Sequence, residues 1–214
     1  MDDVVEGFKK LSSAAVSDAM DKLGLHGMAQ GIGPIADGHH MVGRAFTIKY
    51  IPVGVTKGTV GDYIDDVPEG GVVVLDNGGR LDCTVWGDIL TTVSKQRNIA
   101  GTVIHGVCRD VAGSLEVGYP IFSRGRFMRT GKDRVQVEGT NVPVSLGDVQ
   151  VRPGDIVMGT DDGIIVIPQE KESEILEIAE AVSVAEDGII NEVKSGTRLD
   201  EARVKHGYHQ LQRK

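Results

Sequence analysis

The chain has 214 residues, a formal net charge of −8 and only 4% aromatic residues. That length suffices to bury roughly 70% of the unfolded surface. The acidic balance speaks against nucleic acid, which needs a basic face, and no Lys/Arg cluster is longer than the terminal Arg213-Lys214. No apolar stretch reaches the roughly 18 residues of a membrane helix, and the acidic Met1-Asp2-Asp3 gives no expectation of a secretory leader. Two cysteines, Cys83 and Cys108, do not make a disulfide framework. The expectation is one α/β domain over residues 1–214, cytoplasmic, with neither nucleic acid nor membrane as partner.

Residues 3–23 read as helical, with Ser12 or Ser13 capping a second helix whose apolar side carries Ala14, Ala15, Ala19 and Leu23. Residues 24–43 are Gly-rich and irregular. Gly31, Gly33 and Pro34 imitate a dinucleotide fingerprint, but no strand precedes them and the proline breaks the geometry. Residues 44–53 read as a strand, and 72–75 as a buried strand ending in Asp76-Asn77-Gly78-Gly79. A helix over 88–98, a strand at 102–104, a short helix over 109–115 and a strand at 120–123 follow. This alternation is the pattern of parallel βαβ units. From 134 to 168 short β runs are separated by turn signals such as Gly147-Asp148 and Asp161-Asp162-Gly163, which predicts an antiparallel segment. After Pro168, Ile175, Ile178, Ala179 and Val182 mark an amphipathic helix that Gly188 could bend and that ends near Gly196.

Two stretches carry candidate chemistry. Trp86-Gly87-Asp88-Ile89-Leu90 stands where a Gly-rich loop meets a helix, and the free N–H groups of a helix N-terminus suit a carboxylate or phosphate. Asp88 reads equally as an ordinary N-cap. Arg109-Asp110 follows the next strand, and ligand sites in open α/β sheets form outside the carboxyl ends of such strands. A surface ion pair beside a cap is the plain alternative. Among weaker candidates, His105 reads as a hydrogen-bonded strand-end residue, His39-His40 as loop, Lys95 as solvated and Cys108 as a buried thiol. Tyr63, Asp65 and Asp66 are candidates for shaping selectivity.

Asp88, twenty intervening residues and Arg109-Asp110 resemble the D-x20-R-D motif of the RraA-like family. Segments beginning at Ser13, Val42, Gly87 and Asp161 resemble family segments in the same order. That family holds class II 4-hydroxy-4-methyl-2-oxoglutarate/4-carboxy-4-hydroxy-2-oxoadipate aldolases and regulators of ribonuclease E. The resemblance implies a swivelling β/β/α fold with C-terminal helices, and a homotrimer or hexamer with sites between subunits. It implies that the amides of Gly87, Ile89 and Leu90 hold a pyruvyl carboxylate and that Arg109 binds the keto or enolate oxygen. Asp110 would ligate Mg²⁺ or Mn²⁺, and Asp88 would position a water that moves protons. Glu186 resembles a glutamate supplied by a neighbouring subunit; a solvated helix face is its plain reading. Because no lysine falls in either motif, a metal and an arginine, not a Schiff base, would stabilise the enolate left by cleavage beside a 2-keto acid. Decarboxylation of oxaloacetate passes through the same enolate. The regulators depart from the aldolase pattern at the position of Asp88, which this chain keeps; a protein-binding regulator of ribonuclease E is the alternative.

Overall fold

The computed structural model describes residues 2–208; Met1 and the Arg213-Lys214 pair lie outside the described residues. The chain forms two compact units: residues 28–169, and the residues up to 27 together with those from 170 onward.

The larger unit is built on a mixed sheet. Its parallel centre consists of β3 (Met41–Pro52), β4 (Val72–Thr84), β5 (Gly101–Cys108) and β6 (Ile121–Arg126), side by side in chain order. Helices α3 (Asp88–Gln96) and α4 (Val111–Val117) make the β4–β5 and β5–β6 crossovers. The short β1 (Met28–Ala29) and β2 (Gly33–Pro34) lie at opposite ends of the strand order. The antiparallel segment supplies β7 (Val135–Thr140), a hairpin of β8 (Val144–Leu146) and β9 (Val149–Val151), then β10 (Ile156–Thr160) and β11 (Gly163–Ile167). β10 pairs antiparallel with both β11 and β3, and β7 pairs with the far half of β3.

The uninterrupted Val72-Val73-Val74-Leu75 run follows from this layering, because a sheet covered on both faces needs no polar alternation. Val73 and Leu75 belong to one cluster with Trp86 and Tyr119, whereas Val72 and Val74 pack with Leu146 and Val151 of the hairpin. The glycines after Leu75 do not end the strand as their turn chemistry suggests. Gly78 and Gly79 take positive φ (62° and 69°) and shift the β4–β5 register, so β4 bulges and continues to Thr84. Gly33-Pro34 forms the short strand β2 paired with β6 and is followed by β3, not by a helix.

The second unit is helical. The 3–23 stretch is two helices, α1 (Asp3–Phe8) and α2 (Ser13–Leu23), and the Ser12 hydroxyl caps α2 by accepting from Ala15 N at 3.1 Å. α5 (Glu172–Lys194) buries Ile175, Ala179 and Val182, and α6 (Leu199–Lys205) follows. Gly188 lies inside α5, where a Cβ would run into the His206 ring. It serves close packing, not a break in the helix.

Candidate active site

The parallel pairing of β4 with β5 brings the two motifs together. β4 delivers Trp86-Gly87 to the start of α3, and β5 delivers Arg109-Asp110 to the start of α4. Trp86 fixes the first junction. Its ring is buried and stacks on Tyr119 with centroids 6.3 Å apart, and its indole N–H donates to Thr91 Oγ1 at 3.0 Å. The Thr91 hydroxyl donates to Gly87 O (2.9 Å) and lies 3.1 Å from Ser114 Oγ on α4. These buried bonds tie the first turn of one helix to the other, and a satisfied buried network is rigid.

Gly87, not Asp88, occupies the N-cap of α3, in extended backbone and with no side chain capping the helix. Asp88 is the first helical residue, so the ordinary-cap reading of that aspartate does not hold. The N-cap residue therefore gives the first-turn amides no side-chain acceptor, and they offer donors and a positive dipole end to an anion. A Cβ on Gly87 would lie 2.6 Å from Asp110 Oδ2, so only glycine lets that carboxylate rest against the start of α3.

Asp110 has a left-handed backbone (φ 55°, ψ 38°) and stands at the N-cap position of α4, yet its carboxylate does not cap that helix. Its Oδ2 instead forms an ion pair with Arg109, 3.1 Å from Nε. A non-glycine residue held at positive φ is a local cost that a site can justify. Here the conformation turns the acid away from α4 and toward α3. Asp88 lies against α4: a Cβ at Gly113 would lie 3.7 Å from its Oδ2.

Gly87, Asp88, Ile89, Leu90, Arg109 and Asp110 all line one cleft of about 480 Å³. Residues 59–62 form a further wall of the same cleft, with Asp65. Tyr50 anchors that wall by donating its hydroxyl to Val60 O at 2.7 Å, and burial raises the Tyr50 phenol well above its ordinary value, keeping it a donor. The wall is invisible in sequence because no periodicity marks it; it is placed by long-range bonds such as Val137 N to Thr59 O (2.9 Å). Of the three residues expected to shape selectivity, Asp65 lines the cleft. Tyr63 is buried with its hydroxyl 3.2 Å from that of Tyr50, and Asp66 is not among the lining residues.

The weaker candidates fall outside this cleft. His105 Nδ1 lies 3.2 Å from Asp76 Oδ1 at the end of the parallel strands. Burial opposes ionisation of Asp76, but bonds from His105, Gly78 N and Ser145 N outweigh it and leave its pKa lowered. Lys95 donates to Gly118 O at the end of α4, and the His39 ring bonds the Ile121 backbone. Burial pushes the Cys108 thiol up. Glu186 lies on α5, where desolvation first, then Asp18 and Asp187, raises its carboxyl.

Among the described residues no three His, Cys, Asp or Glu side chains form a metal-binding group. The cleft's donor set nevertheless suits one kind of ion. Mg²⁺ keeps several waters and accepts one or two carboxylates, and Asp110, partly exposed and relieved of capping duty, offers such a carboxylate, with Asp88 lining the same cleft. Among the described residues no helix is long and apolar enough to cross a membrane.

Comparison with known proteins places the chain. A family described as RraA-like, Aldolase/RraA, matches residues 13–166. Protein DlpA of Legionella pneumophila is 38% identical over 98% of this chain, which spans only 35% of that relative's length. A Halalkalibacterium halodurans protein named "Putative 4-hydroxy-4-methyl-2-oxoglutarate aldolase" is 33% identical over 83% of this chain and 82% of its own. A crystal structure from Pseudomonas syringae pv. tomato DC3000 has a TM-score of 0.89 at 41% identity, covering 95% of this chain and 98% of that one. Streptomyces coelicolor RraAS2, titled an unusual member of the RNase ES inhibitor RraA family, has a TM-score of 0.78 at 26% identity, covering 92% and 98%.

Proposed function

The chain belongs to the RraA-like family, and on that premise we propose that its cleft is the active site of a divalent-metal-dependent aldolase that releases pyruvate from 4-hydroxy-2-oxo acids of the 4-hydroxy-4-methyl-2-oxoglutarate type. Oxaloacetate decarboxylation is the expected side activity. The observation that carries the reading is the convergence of Asp88, Arg109 and Asp110 on the uncapped start of α3.

The residues divide the work as follows. The amides at the start of α3, from Gly87 to Leu90, hold the substrate carboxylate, which the helix dipole also favours. That grip sets the 2-keto oxygen against the Arg109 guanidinium, whose rigid fork can donate to it while Nε stays paired with Asp110. As the C3–C4 bond breaks, negative charge moves onto that oxygen, and a fixed donor is worth most where charge develops. Asp110, with Asp88 reaching through water, would hold Mg²⁺ or Mn²⁺, and that ion supplies Lewis-acid stabilisation of the enolate oxygen when bound. Asp88 takes the proton of the 4-hydroxyl through an ordered water and returns one to C3 of the enolate, so the products are pyruvate and a carbonyl fragment. We further propose a cytoplasmic homotrimer or hexamer, with Glu186 reaching a neighbouring subunit's cleft.

The test is a lactate dehydrogenase-coupled assay over a panel of 2-keto acids, with Mn²⁺ and with excess chelator. Cation-dependent pyruvate release from at least one 4-hydroxy-2-oxo acid is expected. Activity unaffected by chelation would remove the metal. No turnover on the whole panel, with micromolar binding of a ribonuclease, would establish the regulator instead.

A further inference from the structure

The cleft wall at residues 59–62 belongs to no helix or strand, so its position rests on the bonds that reach it from elsewhere. Toward β7 these stop early: Gly58 N donates to Gln136 Oε1 at 3.0 Å, and Val137 N donates to Thr59 O at 2.9 Å. Beyond Thr59 the wall leans on one buried phenol of β3. The Tyr50 hydroxyl donates to Val60 O at 2.7 Å and lies 3.2 Å from the Tyr63 hydroxyl. A phenol has one proton, so with Tyr50's on Val60 O the Tyr63 hydroxyl donates the other bond. Burial raises both phenols, which therefore stay protonated. Among the described residues no other element hydrogen-bonds residues 60–62. Next to Val60, a Cβ at Gly61 would lie 3.8 Å from both methyl groups of Leu90. The Tyr50 bond thus sets the wall beside the first turn of α3, where Leu90 lines the same cleft.

We propose that Tyr50 is a positioning residue for substrate affinity: its hydroxyl, set between Val60 and Tyr63, docks the wall beside Leu90 and holds the cleft at the width that grips a 2-keto acid. This rests on the aldolase reading and deepens it. Tyr50 is buried and does not line the cleft, so it acts through Val60. Without the hydroxyl, Val60 O loses its partner when the wall is docked but finds water when the wall is displaced. The displaced population then grows, and apparent affinity falls with the docked fraction. A buried hydrogen bond is worth on the order of tenfold in such an equilibrium. The reacting groups on α3 and α4 are tied together by a separate network through Thr91 and Ser114, so turnover of substrate already bound is spared.

The chain's single tryptophan, Trp86, lines the same cleft and gives the wall's position a readout independent of activity. Wild type, Tyr50→Phe and Tyr63→Phe are compared in two measurements. One is KM and kcat for pyruvate release from oxaloacetate with Mn²⁺; the other is acrylamide quenching of Trp86 without substrate. Phenylalanine keeps the ring and therefore the packing of the core. Tyr50→Phe should raise KM about five- to tenfold, leave kcat within about twofold, and increase quenching of Trp86. Tyr63→Phe leaves the bond from Tyr50 to Val60 in place and should move KM and quenching in the same direction by less. An unchanged KM, a loss confined to kcat, or quenching that Tyr50→Phe leaves unmoved overturns the positioning role while the aldolase reading stands. No pyruvate release by the wild type from oxaloacetate or from any acid of the panel overturns the aldolase reading, and the affinity role with it.

Discussion

Gly87→Ala is a one-carbon test of the site's geometry. The backbone at Gly87 is extended (φ −156°, ψ −171°), a conformation alanine adopts freely, so the substitution introduces no backbone strain. What it introduces is a Cβ 2.6 Å from Asp110 Oδ2, where ordinary contact begins near 3.4 Å. The carboxylate must therefore retreat by about 0.8 Å, and misplacements of about 1 Å can cost on the order of 100-fold in rate. The stability cost is small by comparison: alanine is a poorer N-cap than glycine, and that difference is on the order of 1 kcal/mol. Gly87→Ala should thus lower kcat for pyruvate release between about 10- and 100-fold, while thermal unfolding moves by only a few degrees. The assay is steady-state kinetics at saturating Mn²⁺, with a denaturation curve for the same preparation. Retention of more than half the wild-type kcat would show that the contact between Asp110 and the start of α3 has no part in catalysis. That result would refute the placement of Asp110.

Three further outcomes follow from the same geometry. Arg109→Lys should lose about 10²–10³ in kcat, because an ammonium cannot pair with Asp110 and direct a second donor at the keto oxygen; single-turnover pyruvate release reads this, and more than half the activity remaining would exclude the role. Asp88→Asn keeps the side chain's size at the first position of α3 yet removes the proton carrier, and should cost about 10²–10⁴ in rate with little change in affinity for a non-reacting 2-keto acid, measured by calorimetry. Cys83 and Cys108 are both buried, and burial raises the Cys108 thiol, so both should resist a thiol reagent at neutral pH in the native protein and react after denaturation; fast native labelling would contradict the packing.

The βαβ half of the fold was legible because its signals are local: four apolar strands, two intervening helices, and motifs placed at strand ends by the alternation itself. The convergence of Gly87-Asp88 with Arg109-Asp110 was legible for the same reason, since consecutive parallel strands lie side by side. The bulged continuation of β4 was not, because Gly78-Gly79 has the same chemistry in a bulge as in a turn. The left-handed Asp110 leaves no trace in sequence, since aspartate visits that conformation occasionally and nothing local marks where it does. The wall at residues 59–62 was legible only through its neighbour Asp65, named from the sequence as a selectivity residue, and not in its own residues. It is held by Tyr50 and by pairing with β7, and neither contact has a local signature.

The central claim, that the cleft stabilises the pyruvate enolate, can be tested without knowing the physiological substrate. Pyruvate incubated with the protein and Mn²⁺ in D₂O should exchange its methyl protons for deuterium, because an enolate that forms by cleavage must also form by deprotonation at C3. The proton NMR methyl signal should decay with wild type and Mn²⁺, and it should persist with excess chelator or with Arg109→Lys. A methyl signal that persists with the wild type and Mn²⁺, under conditions where calorimetry shows pyruvate bound, would contradict the account.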